Sequence, residues 1–132
     1  MASTKNRSRL LDSASVIGFI PTTNFRRAKA FYEGKLELRF VSRDAFALVL
    51  QSGGTTVRIA KAPGFKPAGF TILGWRVGAI EAAVAALVAR GVVFERYSWM
   101  QQDVAGIWTA PGGARVAWFK DPDGNVLSLS TQ

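Results

Sequence analysis

The sequence predicts an α+β fold made of two β-α-β-β-β modules, each forming a cupped, mainly antiparallel sheet. Its 132 residues suffice for about one domain. The order of a strand-like run, an amphipathic helix and further strand-like runs occurs twice, on either side of the Pro/Gly-rich linker 61–69. One helix for several strands can cover only one face of each sheet. We therefore expect modules at 14–62 and 70–131, joined into a single domain 14–132, with a cleft between their uncovered faces.

The first module begins with the apolar, β-branched run 16–22, which predicts a strand. Asn24 offers a side-chain oxygen that can cap the helix that follows, and that helix is expected to end near Gly34. The apolar stripe of the helix has spacings of three and four residues: Phe25, Ala28, Phe31, Tyr32 and Leu36. Three strand-like runs complete the module, at 38–42, 46–51 and 55–60.

The second module repeats this order after the linker. A strand-like run at 70–77 precedes a helix that Gly91 terminates. The apolar stripe of this helix consists of Ile80, Ala83, Val84, Leu87 and Val88. Asp121 and Asp123 belong to a strong turn, in which their side chains are expected to cap backbone amides. Further strand candidates lie at 92–99, 106–109, 115–119 and 125–130.

The composition excludes whole classes of chemistry. The chain contains no cysteine and no histidine, which excludes disulfides, thiol nucleophiles, zinc fingers and Ser-His-Asp triads. An enzyme would have to transfer protons with Asp, Glu, Lys or Tyr. The sequence has neither an apolar run of about 20 residues nor the apolar core of a signal peptide, so we expect a cytoplasmic protein without membrane contact.

The positive charge is concentrated near the start of the chain. The formal net charge is +8, and residues 1–43 contribute +6 of it, from nine Lys/Arg and three Asp/Glu. We expect residues 1–13 to form a flexible basic arm. We also expect the first helix, after Asn24, to present its basic residues to solvent. Nucleic-acid binding is the alternative interpretation, but no recognition motif accompanies the charge.

Two segments resemble one protein family. Residues 24–32, NFRRAKAFY, are similar to the opening helix of the vicinal oxygen chelate (VOC) superfamily, which includes glyoxalase I, extradiol dioxygenases and bleomycin-resistance proteins. Residues 118–129, WFKDPDGNVLSL, resemble its closing hairpin. The resemblance covers about residues 15–131 and implies the glyoxalase/bleomycin-resistance/dioxygenase fold. Many members are dimers, so it also implies a homodimer.

The resemblance places the metal-ligand positions of the family at Ile17, Arg58, Ile72 and Ser128. Two of these side chains have no donor atom, one is a fixed cation, and a neutral hydroxyl is a weak ligand. We therefore expect no metal and no cofactor.

Strand alternation from those positions predicts a cleft that is apolar, with two guanidinium groups and several hydroxyls. Arg58 and Arg76 are expected to project into the same cleft. The aliphatic positions of opposite parity are expected to pack under the helices. Two tryptophans flank an irregular stretch and offer flat stacking surfaces. The candidate ligand-binding residues are Phe19, Arg58, Ile72, Arg76, Trp99, Trp108 and Ser128.

The sequence therefore predicts a metal-independent protein that binds an aromatic or anionic small molecule, with no assignable catalytic residue. One alternative is an isomerase, lyase or dioxygenase of the same superfamily with an atypical site that uses Tyr97, Glu95 or Asp103. The other alternative is a basic nucleic-acid-binding module.

Overall fold

In the computed structural model, which describes residues 9–132, the first module forms one four-stranded sheet. Its strands have the spatial order β1-β4-β3-β2. Strand β1 runs parallel to β4, and the other two neighbouring pairs are antiparallel. The elements are β1 (Ile17–Thr22), α1 (Phe25–Lys29), a π-helical turn (Ala30–Lys35), β2 (Arg39–Arg43), β3 (Ala47–Ser52) and β4 (Thr55–Lys61).

The second module repeats this topology with the order β5-β8-β7-β6. Its first and last strands, β5 and β8, are again parallel, and the other pairs are antiparallel. The prediction of two mainly antiparallel β-α-β-β-β modules is therefore confirmed. The elements are β5 (Thr71–Arg76), α2 (Ile80–Ala89), β6 (Trp108–Thr109), β7 (Arg115–Lys120) and β8 (Val126–Ser130).

The first helix begins as predicted and ends near Gly34 as predicted, but its last part is a π-helical turn. The Asn24 side chain accepts a hydrogen bond from the Arg27 amide at 3.0 Å, which confirms the cap. After Lys29 the helix widens, and the Leu36 amide donates to the Phe31 carbonyl at 3.0 Å, the i to i+5 spacing of a π-helix. The helical path thus continues past Gly34 to Lys35.

The segment 92–99 is not a strand, which corrects the prediction. Its backbone pairs with β7 only through a single bridge from Phe94 to Phe119 and a hydrogen bond from the Glu95 amide to the Trp118 carbonyl. The Gln102 side chain satisfies backbone groups that a partner strand would otherwise pair. Its amide donates to the carbonyls of Glu95 and Gly106, and its oxygen accepts from the Tyr97 amide. The apolar residues of this segment are compatible with a strand, but the hydrogen bonds of the Gln102 side chain compete with those that a neighbouring strand would form.

Both modules contribute to one hydrophobic core. The first sheet supplies Ile20, Leu48 and Ile59, and the second supplies Phe119 and Leu127, all at most 1% exposed. One aromatic pair joins the modules, because Phe31 of the π-helical turn lies 6.3 Å from Phe119 of β7. Within the second module, Trp75 stacks on Phe119 at 6.5 Å.

The turn 121–124 ties the second module to the first. Buried Asp121 accepts hydrogen bonds from the hydroxyl of Tyr32 at 2.6 Å and from the Asn125 backbone and side-chain amides. Asp123 accepts from the hydroxyls of Thr22 and Thr23. Both carboxylates cap backbone amides as predicted. Asp121 caps amides of its own turn, whereas Asp123 caps the Thr23 amide at the end of β1.

The predicted arm, 1–13, lies largely outside the described residues. Of its described part, 10–13 form a turn, and the Arg9 guanidinium lies 3.8 Å from the Asp12 carboxylate. No helix within residues 9–132 is long and apolar enough to cross a membrane.

Candidate functional site

Each sheet buries one face and exposes the other. In β1, Ile20 is 1% exposed and its neighbour Phe19 is 64% exposed. In β4 and β8 the buried residues alternate in the same way: Val57, Ile59, Leu127 and Leu129 point into the core. The predicted parity is confirmed at these positions, so the outward faces of the two sheets are the surfaces on which a ligand could bind.

The outward face of the first sheet is apolar with one guanidinium group. Phe19 lies opposite Arg58 in the register of β1 and β4, beside exposed Ile17. The Arg58 guanidinium lies 3.8 Å from the carboxylate of Asp44, in the turn between β2 and β3. The backbone amides of Phe46 and Ala47 donate to Asp44 and lower its pKa, and Arg58 adds a smaller effect. Asp44 is therefore primarily a turn cap, and its long contact with Arg58 is a weak surface ion pair.

The outward face of the second sheet brings together Gly74, Ser128 and Trp118 on three neighbouring strands. A Cβ atom on Gly74 would lie 2.5 Å from the Ser128 Oγ. Only glycine therefore fits beside Ser128 without displacing it. Arg76 lies opposite Ser130 at the end of the same pair of strands, and it forms no ion pair within residues 9–132.

Four aromatic rings form a cluster on this second face, which we call the aromatic patch: Tyr97, Trp99, Trp108 and Trp118. The ring centres of Trp108 and Trp118 are 6.1 Å apart, and Tyr97 meets Trp118 edge-on at 5.8 Å. Trp99 lies 5.6 Å from Tyr97 and is 77% exposed. An exposed indole beside other rings provides an open stacking surface.

Two members of the aromatic patch, Tyr97 and Trp118, were missing from the predicted ligand-binding residues. The sequence held a signal for Trp118, because strand alternation in 115–119 opposite Ser128 places it on the outward face. Tyr97 lies within the segment 92–99, which is not a strand, so alternation could not locate its side chain.

The predicted site residues occupy two separate faces. Phe19 and Arg58 lie on the first sheet, and Arg76, Ser128, Trp99 and Trp108 lie on or beside the second. Ile72 sits at a register shift between Thr71 and Leu73 and packs against the core, so the alternation breaks there. Arg76 also lines a cavity beside the end of β5, and the other six predicted residues do not line that cavity.

The side chains at the family's metal positions do not fit a metal ion. Ile17 and Ile72 have no donor atoms, and Arg58 carries a positive charge. Within residues 9–132 no group of three or more His, Cys, Asp or Glu side chains is placed to hold a metal.

The candidate acid–base residues have structural contacts. Glu95 lies 3.7 Å from the Lys120 ammonium group, and Asp103 accepts hydrogen bonds from the amides of Ala105 and Ile107. Burial, with a smaller effect of the nearby Glu95 charge, raises the pKa of Tyr97. Tyr97 therefore stays protonated at neutral pH and is a poor general base there.

Comparison with known proteins supplies a family match. The family model described as Glyoxalase/Bleomycin resistance protein/Dioxygenase superfamily matches residues 13–129. No protein among the curated sequences matches the chain.

Solved structures of similar architecture include three that are informative. A member of this superfamily from Sphaerobacter thermophilus DSM 20745 is 24% identical, with a TM-score of 0.71 over 92% of this chain and 98% of that one. A bleomycin resistance determinant encoded on the transposon Tn5 is 20% identical, with a TM-score of 0.70 over 91% and 98%. TnmS3, an antibiotic binding protein from Streptomyces sp. CB03234, is 22% identical, with a TM-score of 0.66 over 92% and 97%. At these identities the similarity establishes the fold.

Proposed function

Since the chain belongs to the glyoxalase/bleomycin resistance protein/dioxygenase superfamily, we propose that it is a metal-independent protein that sequesters an aromatic or anionic small molecule. The aromatic patch is the observation that carries this proposal. Two structural neighbours, the Tn5 bleomycin resistance determinant and TnmS3, are by their names antibiotic resistance or binding proteins, which supports a binding function for this fold.

The ligand class follows from the chemistry of the two outward faces. Trp99 exposes 77% of its surface beside Tyr97, so a planar ligand can stack on it without displacing core side chains. Arg76, on the same sheet, offers a planar guanidinium for a carboxylate, sulfonate or phenolate oxygen. The chain's net charge of +8 further favours an anionic ligand over a cationic one.

A homodimer is part of this proposal. Exposed apolar side chains lie on or beside the outward faces, including Ile17 at 49%, Phe19 at 64% and Phe70 at 68%. A second copy of the chain could cover them by placing its second sheet over the first sheet of its partner. Arg58 of one protomer and Arg76 of the other would then line a shared cleft, as the predicted single cleft requires.

A binding titration with anthraquinone-2-sulfonate, a planar aromatic anion, tests the proposal. With EDTA present throughout, we expect saturable binding by the wild type. Trp99→Ala should bind about five- to tenfold more weakly, the loss of one aromatic pair. Phe46→Ala is the matched control, because it also removes an exposed aromatic side chain, 77% exposed, but one from the turn between β2 and β3.

Two results would contradict the proposal. Equal affinity of the wild type and Trp99→Ala would mean that the aromatic patch does not hold the ligand. Stoichiometric transition metal in the purified protein, with binding abolished by EDTA, would mean that the site depends on a metal.

A further inference from the structure

A separate cavity of about 540 Å³ lies between the two modules, on the core side of the sheets. Its walls come from the end of the π-helical turn, the turn between β3 and β4, the end of β5, and α2. Its apolar lining includes Leu38, Trp75, Leu87, Phe119 and Leu129. No member of the aromatic patch lines it, and Arg76 is the one residue that it shares with the ligand site proposed above. Its volume is within the range of cavities that hold small organic molecules.

Charged residues also line this cavity, and their balance is positive. They are three arginines, Arg39, Arg76 and Arg90, and one carboxylate, Glu37. Arg90 ends α2, and its guanidinium lies 2.9 Å from the Glu37 carboxylate of the first module. The two side chains are 41% and 64% exposed, so the ion pair is weak and another anion could compete for Arg90.

The polar groups deeper in the cavity already have partners. The indole N–H of Trp75 donates to the Ser52 hydroxyl at 2.8 Å. No buried side-chain polar atom within residues 9–132 lacks a hydrogen-bond partner. The interior of the cavity therefore suits the apolar part of a ligand. A negatively charged group on the ligand would be attracted to the arginines.

Glu37 adopts a backbone conformation that is uncommon for its residue type. Its φ is 62°, in the left-handed region that disfavours side chains, and it is the only residue other than glycine among 9–132 with a positive φ. The conformation follows directly after the π-helical turn, and the Leu38 amide donates to the Tyr32 carbonyl at 3.0 Å. The Glu37 carboxylate that pairs with Arg90 therefore lies on a hydrogen-bonded turn at the edge of the cavity.

We propose that this inter-module cavity is a second ligand site, which takes a small amphipathic carboxylate. The apolar chain of the ligand lies between the modules against the partly exposed side chains of Leu36 and Trp75. Its carboxylate takes the place of Glu37 as the partner of Arg90, with Arg39 and Arg76 adding positive charge. Because the walls come from both modules, such a ligand joins them and stabilises their arrangement.

Octanoate is a suitable probe, because it has one carboxylate and no ring that could stack on the aromatic patch. The chain has four tryptophans, and their indole N–H signals in nitrogen-edited NMR spectra report the two sites separately. Trp75 reports the inter-module cavity, and the other three report the aromatic patch. Trp→Phe variants assign the signals. We expect octanoate to shift the Trp75 signal and to raise the melting temperature, and octanamide, its neutral counterpart, to bind at least tenfold more weakly.

Two single-charge variants should act in opposite directions. Arg90→Gln removes the proposed partner of the carboxylate, so octanoate affinity should fall about tenfold, the scale of one charge-assisted hydrogen bond. Glu37→Gln removes the competing anion, so the affinity should rise about threefold. Both side chains are substantially exposed, so both variants should fold. Lys66→Gln, at an exposed position in the linker, is the control and should leave the affinity unchanged.

Three results would overturn the proposal: equal binding of octanoate and octanamide, unchanged affinity in both charge variants, or shifts confined to Trp99, Trp108 and Trp118. This test is independent of the anthraquinone-2-sulfonate titration, which is read at the aromatic patch. The two sites share Arg76, but neither test varies that residue, so either proposal can fail without the other.

Discussion

The carboxylate of Asp123 illustrates how a single residue can connect the modules. Burial raises its pKa, but hydrogen bonds from the hydroxyls of Thr22 and Thr23 and from the Thr23 amide, with the charge of Arg27, lower it by more. The net pKa is below the ordinary value. A carboxyl whose folded-state pKa is depressed stabilises the fold above its unfolded pKa, about 3.9, and loses that contribution as the pH falls through the folded value.

This linkage predicts acid destabilisation through Asp123. The free energy of unfolding should fall as the pH drops below about 4. In Asp123→Asn the fall should be shallower, and the free energy at pH 7 should be lower by about 2 kcal/mol, since charged hydrogen bonds are lost. Asp44 and Glu81 also have lowered pKa values, from amide donors in one case and from Arg115 in the other, so some pH dependence should remain. Urea denaturation between pH 2.5 and 7 measures the free energy of unfolding. Identical pH profiles for the wild type and Asp123→Asn would contradict the prediction.

The buried pair of Tyr32 and Asp121 gives a second prediction at this scale. The hydroxyl of Tyr32 donates to Asp121 at 2.6 Å, and burial together with the Asp121 charge raises the pKa of Tyr32 well above its usual range. Tyr32→Phe should lower the free energy of unfolding by about 2 kcal/mol, because a charged hydrogen bond is lost from a buried carboxylate. Binding of anthraquinone-2-sulfonate should be unchanged at neutral pH, since both residues lie in the core. An unchanged unfolding midpoint would show that water replaces the hydroxyl.

At the scale of elements, the sequence predicted correctly those features that depend on residues close together in the chain. The Asn24 cap acts over three residues, and Gly91, with φ of 88°, ends α2 as expected. Alternation gave the buried faces of β1, β4 and β8. The contact of Thr22 with Asp123 spans 101 residues, and nothing in either segment alone specifies it.

The same scale shows why other elements were misjudged. The apolar alternation of 92–99 is real, but Gln102 caps its backbone groups and leaves it outside the sheet. The register shift at Ile72 interrupts the alternation of inward and outward side chains in β5. A β-bulge of this kind has no consistent sequence signal. The π-helical turn that follows α1 was not predicted either, and it carries Phe31 and Tyr32, both buried in the core.

The close approach of β5 and β8 makes a testable prediction. Gly74→Ala should lower the free energy of unfolding by about 1 to 3 kcal/mol, because its Cβ would lie 2.5 Å from the Ser128 Oγ. Ser128→Ala in the same chain should restore part of the loss. Gly78→Ala is the control, because a Cβ there meets nothing within 4 Å. Equal effects of Gly74→Ala and Gly78→Ala in thermal denaturation would contradict the close packing.

At the scale of the whole molecule, a single chain leaves the outward faces of both sheets exposed to solvent. Phe19 and Arg58 lie on the outward face of the first sheet, and Ser128 and Arg76 lie on that of the second. The single cleft expected from the sequence would therefore form in the dimer proposed above. Strand alternation assigns a side chain to a face, whereas the arrangement of two chains depends on surfaces that no local pattern encodes.

The proposed dimer can be tested at Phe19. Phe19→Asp places a charge on the exposed face of β1, so it should dissociate the dimer while leaving the monomer fold intact, because the side chain is 64% exposed. Sedimentation velocity gives the mass, and circular dichroism checks the fold. Arg26→Asp, on the exposed side of α1, is the control for an added acid. A wild type that sediments as a monomer would contradict the shared cleft.

A crystal structure of the protein with anthraquinone-2-sulfonate, grown in the presence of EDTA, tests the proposed function most directly. The ligand's ring system should stack on Trp99 within the aromatic patch, with its sulfonate in contact with an arginine of the cleft and no metal beside it. A ligand held elsewhere, or bound through a metal ion in the cleft, would contradict metal-independent binding at the aromatic patch.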